Sequence, residues 1–156
     1  ESESGGWMNA MNAFDLSRPN IAAHATGLSR AAYEHALQYS NERQTFGKPL
    51  HKHQAIQFIL ADMKTSIEAS RMLTWKSAAD ADAGIRNTES AAHAKRFAAD
   101  TAMQVSTDAV QVYGGYGYSE EYPVARLMRG AKVMQIYEGS SQVQRMIIGR
   151  EITKNL

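Results

Sequence analysis

Between Lys52 and Gly84 the chain sets Ile56, Ile59, Leu60, Met63 and Ile67 at spacings of three and four, with Leu73 and Trp75 extending the stripe. That period places apolar side chains on one face of an α-helix. Burying five of them contributes about 10 kcal/mol at ~2 kcal/mol each. Ordering roughly thirty residues costs about 1 to 2 kcal/mol apiece in backbone entropy, only partly offset by helical hydrogen bonds. Such a helix cannot stand alone and has to pack in a bundle. A further long helix opens at Asn87 as a cap, with Glu89 early in it where the helix dipole favours negative charge. It carries Ala91, Ala94, Ala98, Ala102 and Ala109, interspersed with Phe97, Val105 and Val112. Small residues along a helix let a neighbour approach closely.

The remaining segments follow from their punctuation. Glu1 to Gly6 is polar and glycine-rich, and reads as a linker or frayed terminus. Trp7, Met8, Met11 and Phe14 suggest a short amphipathic helix. Ser17 followed by Pro19 is the order of a capping oxygen and a first-turn proline, so a new helix is expected there, running through Ile21, Leu28, Ala32 and Leu37 to about Glu42. Phe46-Gly47-Lys48-Pro49 stops it. Gly114-Gly115-Tyr116-Gly117-Tyr118 ends the alanine-rich helix. Tyr122-Pro123 opens a short one through Leu127 and Met128, and Val143, Met146 and Ile147 line a last one to about Lys154. No alternating segment reads as a strand, and no repeat of roughly 20 to 50 residues is visible. The fold class is all-α: an antiparallel, up-and-down bundle of about three long helices plus shorter ones, forming one domain over residues 7–156.

Several function classes drop out. The formal net charge of +1, with Lys and Arg scattered, gives no footprint for nucleic acid or an anionic membrane. Without cysteine there is no disulfide framework, thiolate metal site or cysteine nucleophile. No apolar run approaches the ~20 residues of a membrane span, and no signal-peptide pattern opens the chain. Its first residue is Glu1 rather than Met, as in a processed or excised piece of 156 residues.

The candidate chemistry centres on Val133 to Arg145. There an apolar run reaches Glu138, Gly139 supplies backbone freedom, and Ser140 or Ser141 offers a capping oxygen for the helix that follows. A carboxylate is parked at the mouth of a helix, where an acid is ordinarily a cap or a solvated charge. Gly114-Gly115-Tyr116-Gly117 follows a helix rather than a strand, so a dinucleotide fingerprint lacks its context and a helix stop is the plain reading. His51 and His53 alternate without any Glu-x-x-His pair, which argues against a di-iron bundle. Met72, Met103, Met128, Met134 and Met146 read as core filler.

Taken together, the motifs resemble a family. Asp15-Leu16-Ser17-Arg18, Arg43-Gln44-Thr45-Phe46-Gly47-Lys48-Pro49-Leu50, His53-Gln54-Ala55-Ile56, Gln111-Val112-Tyr113-Gly114-Gly115-Tyr116-Gly117, Glu121-Tyr122-Pro123-Val124 and Gln135-Ile136-Tyr137-Glu138-Gly139-Ser140-Ser141-Gln142 occur in the order seen in acyl-CoA dehydrogenases. The chain from about Gly6 resembles the C-terminal helical domain of that family, nearest its medium-chain and short-chain types. The resemblance implies that Glu138 is the base that takes a proton from the α-carbon of a fatty acyl-CoA, while the β-hydride passes to FAD. It places Gly139 beside the acyl group and Asp15 and Arg18 near the substrate. It also places Arg43, Gln44, Thr45, His53, Gln54, Gln111, Val112, Tyr113, Gly114, Gly115, Ser140, Ser141 and Gln142 around FAD, some reaching the FAD of a neighbouring subunit in a homo-oligomer. An electron-transfer flavoprotein is the implied acceptor, and a bacterial cytoplasm or mitochondrial matrix the implied compartment.

Residue chemistry agrees with these roles. Arginine offers a permanently charged donor fork suited to a pyrophosphate, and Thr45 adds a hydroxyl. Gly114 and Gly115 let a backbone approach a cofactor without a clash. Ser141 and the amides opening the last helix suggest an anion site. Taken without the resemblance, Arg43 is equally a cation at a helix C-terminus and the glycines a helix stop. Relatives often have Arg-Asp-Ala-Lys where this chain has Arg129-Gly130-Ala131-Lys132, a change expected to loosen a helix end. Ser140 stands where Thr is common. In some relatives the base lies instead beside the position of Arg18, but Ser17 there is not acidic. An acyl-CoA oxidase and a non-catalytic helical scaffold are the alternative functions. The family's N-terminal helical and middle β-domains are absent from the chain, so alone it is expected to fold into helices, bind FAD weakly and turn nothing over.

Overall fold

The computed structural model describes residues 3–154 and 156, and leaves the side chains of residues 3–5, 7, 8, 10 and 11 outside the described set. Six helices follow in order among the described residues: α1 Glu3–Glu42, α2 Gln54–Asp82, α3 Thr88–Tyr113, the single turn α4 Gly115–Tyr118, α5 Pro123–Met134 and α6 Ser141–Ile152. The three long helices pack side by side, as the apolar periods require. Of the polar lead, Glu3–Gly6 belongs to α1, and Glu1 and Ser2 lie outside the described residues. The expected stripe of Trp7, Met8 and Met11 is helical in backbone, but its side chains are outside the described set too.

Pro19 does not start a helix; it sits inside α1, which runs unbroken through it. A proline there removes the N–H that would bond the carbonyl four residues back, which is that of Asp15. Asn87 supplies the replacement, its Nδ2 donating to Asp15 O at 3.0 Å. Asn87 therefore stands at the cap position of α3 without capping it, because its side chain is spent on α1.

The core is layered along the bundle. Toward one end Ala22 and Ala25 of α1 meet Ala94, Ala98, Ala99 and Ala102 of α3 and Ala131 and Met134 of α5, all nearly or fully buried. Toward the other, Ala32 and Ala36 meet Leu60, Met63 and Ile67 of α2 with Val105, Ala109, Val112 and Tyr113 of α3. Leu60, Met63 and Ile67 of the α2 stripe are buried and Ile56, Ile59 and Leu73 are half-buried against the core, whereas Trp75 is mostly exposed. Met72 and Met146 are exposed as well, as is Val143, so α6 seats itself instead on buried Ser141 and Gln144. Gly130 lies inside α5 rather than at a frayed end, close to Leu28.

A minimal hairpin that the sequence did not announce joins α1 to α2. β1 Gln44–Thr45 pairs antiparallel with β2 Lys48–Pro49. Phe46 at φ 51° and Gly47 at φ 78° form its two-residue tip, the positive-φ pair that matches strand twist. At the far end of the chain, Arg86 grips Glu151 through bonds of 2.6 and 2.9 Å. That pair ties α6 to the α2–α3 loop and holds the Glu151 carboxyl down to about 2.

Candidate active site

The turn between α5 and α6 is built around two consecutive left-handed residues, Glu138 at φ 55° and Gly139 at φ 86°. Glycine adopts that region freely, whereas a side-chain-bearing residue pays about 1 to 2 kcal/mol for it. The surroundings hold the conformation. Gln144 Nε2 donates to Glu138 O at 3.2 Å and to Gly139 O at 2.9 Å. Lys95 Nζ, reaching in from the middle of α3, donates to Gly139 O at 2.7 Å. Ser140 caps α6, its Oγ accepting from Val143 N at 3.3 Å, as the capping expectation for this pair of serines allowed. Ser141 differs: its amide donates to Gln135 O and its Oγ to Asp100 Oδ1, so the anion site expected at this mouth is already answered by a carboxylate.

The Glu138 side chain turns toward α1, where Ser17 Oγ donates to its Oε2 at 2.7 Å. Ser17 and Glu138, far apart in the chain, are thus adjacent in space, and Glu138 is the acid of the pair. Arg18 is buried beside it, and burial lowers its pKa against the opposing pull of Asp15 and then Glu138. Arg18 Nη1 donates to Asp15 Oδ1 at 2.6 Å, while Nε, itself buried, has no partner among the described residues. Thr88 Oγ1 donates to the other Asp15 oxygen. Asp15 thus ties Arg18 and the start of α3 together.

Lys95 and Gln144, both fully buried, escaped the sequence reading. Lys95 left one signal: it falls in register between Ala91 and Ala98 on the otherwise small, apolar stripe of α3. Burial lowers its pKa to about 8, against the nearby negative charge of Asp100. Gln144 left none, since its place in α6 is set by the turn before it. Asp100 was also missed; it accepts from Ser141, Gln135 and Arg145 and so pins the mouth of α6 to α3.

A second group of expected residues gathers at the C-terminal end of α1, about 38 Å along the helix from Ser17 by helical rise. Arg43, Thr45, Val112, Tyr113, Gly114 and Gly115 line an open groove of about 520 Å³ together with Tyr39, Leu50 and Tyr116. The Arg43 guanidinium lies over the Tyr116 ring at 5.7 Å, and Tyr39 stacks on Tyr113 at 4.0 Å. A Cβ on Gly114 or Gly115 would meet nothing within 4 Å, so the groove floor is bare backbone facing open space. His53 braces the hairpin, its Nε2 lying 3.2 Å from Thr45 Oγ1. Gln44, Gln54 and Gln111 are exposed and are not among the groove's lining. Ser140, Ser141 and Gln142 line a separate polar recess of about 450 Å³ with Asp100, Lys132 and Arg145. No cluster of acids and histidines able to hold a metal occurs among the described residues.

Residues 4–153 match the model of the acyl-CoA dehydrogenase C-terminal domain. The chain belongs to the acyl-CoA dehydrogenase family. It is 53% identical to a cyclohexane-1-carbonyl-CoA dehydrogenase of Geobacter metallireducens, over 97% of this chain and 40% of the relative. It superposes on butyryl-CoA dehydrogenase from Megasphaera elsdenii with a TM-score of 0.95 and 52% identity, over 97% of this chain and 40% of that one. A chain in the structure of the electron transferring flavoprotein of Acidaminococcus fermentans matches at TM-score 0.92 and 47% identity, over 94% of this chain and 38% of that one. The chain thus spans about two-fifths of the length of these acyl-CoA dehydrogenase relatives, in their C-terminal part. Members of the family bind FAD. Among the described residues no helix is long and apolar enough to cross a membrane.

Proposed function

We propose that this chain is the C-terminal part of an FAD-dependent acyl-CoA dehydrogenase in which Glu138 removes the α-proton of an acyl-CoA thioester on the way to the trans-2-enoyl-CoA. The observation that carries the reading is the Glu138 carboxylate itself. It projects from a turn pinned by buried donors and meets Ser17 Oγ at 2.7 Å, in a chain that matches the family's C-terminal domain over almost its whole length. The residues of the open groove fit a dinucleotide: a guanidinium, a hydroxyl and two bare glycines face one space. When bound, FAD supplies the acceptor for the β-hydride.

The chain's own residues do the rest. Glu138 takes the proton onto a carboxylate oxygen, with Ser17 orienting the other end of the contact. Arg18 places positive charge near the region where negative charge develops on the thioester, an arrangement worth most where water is excluded. Asp15 positions the Arg18 guanidinium beside Glu138. Arg43 and Thr45 serve the FAD pyrophosphate, with Gly114 and Gly115 admitting the cofactor against the backbone.

The groove and the Glu138 site lie about 38 Å apart along α1, so in this reading they serve different FAD molecules of a homo-oligomer. Phe46, 97% exposed at the hairpin tip, supports a neighbouring subunit that covers it. The relatives favour a short or compact acyl group, an electron-transfer flavoprotein as acceptor and a bacterial cytoplasm. In the full-length protein, Glu138→Gln should retain bound FAD yet lose anaerobic bleaching of the flavin by butyryl-CoA, at least ~100-fold slower than wild type for loss of a general base. Undiminished bleaching would refute the role. Hydrogen peroxide formed in step with turnover would move the assignment to an oxidase.

A further inference from the structure

We infer that Lys95 and Gln144 are positioning residues for the base: by clamping Glu138 O and Gly139 O from the protein interior, they hold Glu138 in the left-handed conformation that aims its carboxylate at Ser17 and the substrate. The inference rests on the reading of Glu138 as the base. Three hydrogen bonds, of 2.7, 2.9 and 3.2 Å, converge on two consecutive carbonyls. Rotating either peptide to a relaxed φ would swing its carbonyl away and leave a buried ammonium and a buried amide without these acceptors, a larger cost than the strain relieved.

The clamp also accounts for the glycine. A Cβ on Gly139 would sit 2.7 Å from Gln144 Nε2, so the amide occupies the space that any side chain would need. α6 is also docked by ties outside the clamp. Asp100 already ties the mouth of that helix through Ser141, Gln135 and Arg145, Ser140 caps it, and Arg86 holds its far end through Glu151. What Lys95 and Gln144 add is local to Glu138 and Gly139. Placing a lysine with no exposed surface in an alanine stripe is costly, and the one side-chain hydrogen bond it makes among the described residues goes to this turn. The depressed Lys95 pKa of about 8 is a mark of that cost.

The test uses the full-length holoenzyme with Lys95→Met and Gln144→Met, which keep side-chain length and remove the donors, beside Glu138→Gln. Expected for both Met variants are unchanged FAD content and a KM for butyryl-CoA within about threefold of wild type, with kcat down about 10- to 100-fold, the scale of a misplaced reacting group. The isotope effect of α-deuterated butyryl-CoA on kcat should rise, which a loss of general stability does not produce. Wild-type kcat and isotope effect in either variant that holds FAD would overturn the inference, and so would loss of FAD from both, which would make the pair a support of the fold. Full activity in Glu138→Gln would instead sink the reading of Glu138 on which the clamp depends.

Discussion

Two regions along α1, one beside Ser17 and one at Arg43, solve opposite problems. In the Glu138 region the core is alanine, the helices are close, and buried polar groups from α3 and α6 converge on one turn. In the Arg43 region the core is aliphatic and aromatic, and the surface opens into a groove with bare glycine backbone and an arginine laid over a tyrosine. In the first region the donors that hold the turn come from the chain's own interior; in the second, on the function proposed above, a cofactor would fill the space. A proton-transferring carboxylate has to be held to a fraction of an ångström before substrate arrives. A cofactor cradle gains its order from the cofactor. The lesson is that a site's parts need preorganisation in proportion to how directly they touch the reacting atoms.

A single methyl group probes that difference. In the 156-residue chain, Gly139→Ala adds a left-handed alanine and a contact of 2.7 Å with Gln144, and should cost about 2 to 4 kcal/mol in thermal unfolding. Lys95 gives a smaller and pH-dependent effect. Its folded pKa of about 8 lies below the ordinary lysine value of 10.5, so between those pH values the unfolded chain binds more protons than the folded one and stability rises with pH. Relative to Lys95→Met, wild type should gain on the order of 1 kcal/mol from pH 7.5 to 9.5 after allowance for screening; a flat or falling difference would show that the amine is not desolvated. Gly115→Ala in the open region should change stability by less than about 0.5 kcal/mol, since its Cβ meets nothing within 4 Å, yet weaken FAD retention in the full-length protein. Equal stability losses at Gly139 and Gly115 would erase the distinction between the two regions.

What the sequence disclosed was periodic or contiguous. The α2 stripe, the alanine face of α3 and the proline that opens α5 each lie within one helix, and the structure keeps them. What it hid depends on residues far apart. Pro19 reads as a start because its usual place is a first turn; it is tolerated inside α1 because Asn87, much later in the chain, takes the orphaned carbonyl. The hairpin has strands of two residues, too short to alternate. Trp75, Met72, Met146 and Val143 show that an apolar side chain on a helix declares a face without naming what covers it. The Glu138 turn was legible as a motif, but the donors that hold it come from α3 and α6, and Lys95 stood out only as an interruption in a stripe of small residues.

The central claim is that Glu138 is the group that carries the α-proton. Incubating the full-length holoenzyme with a non-oxidisable acyl-CoA analogue in D₂O and following the α-hydrogens by NMR tests it without flavin chemistry. Wild type is expected to wash deuterium into the α-position and Glu138→Gln, still carrying its FAD, to leave it unlabelled. Exchange at the wild-type rate in Glu138→Gln would mean that another group takes the proton, and the turn between α5 and α6 would have lost its proposed chemical role.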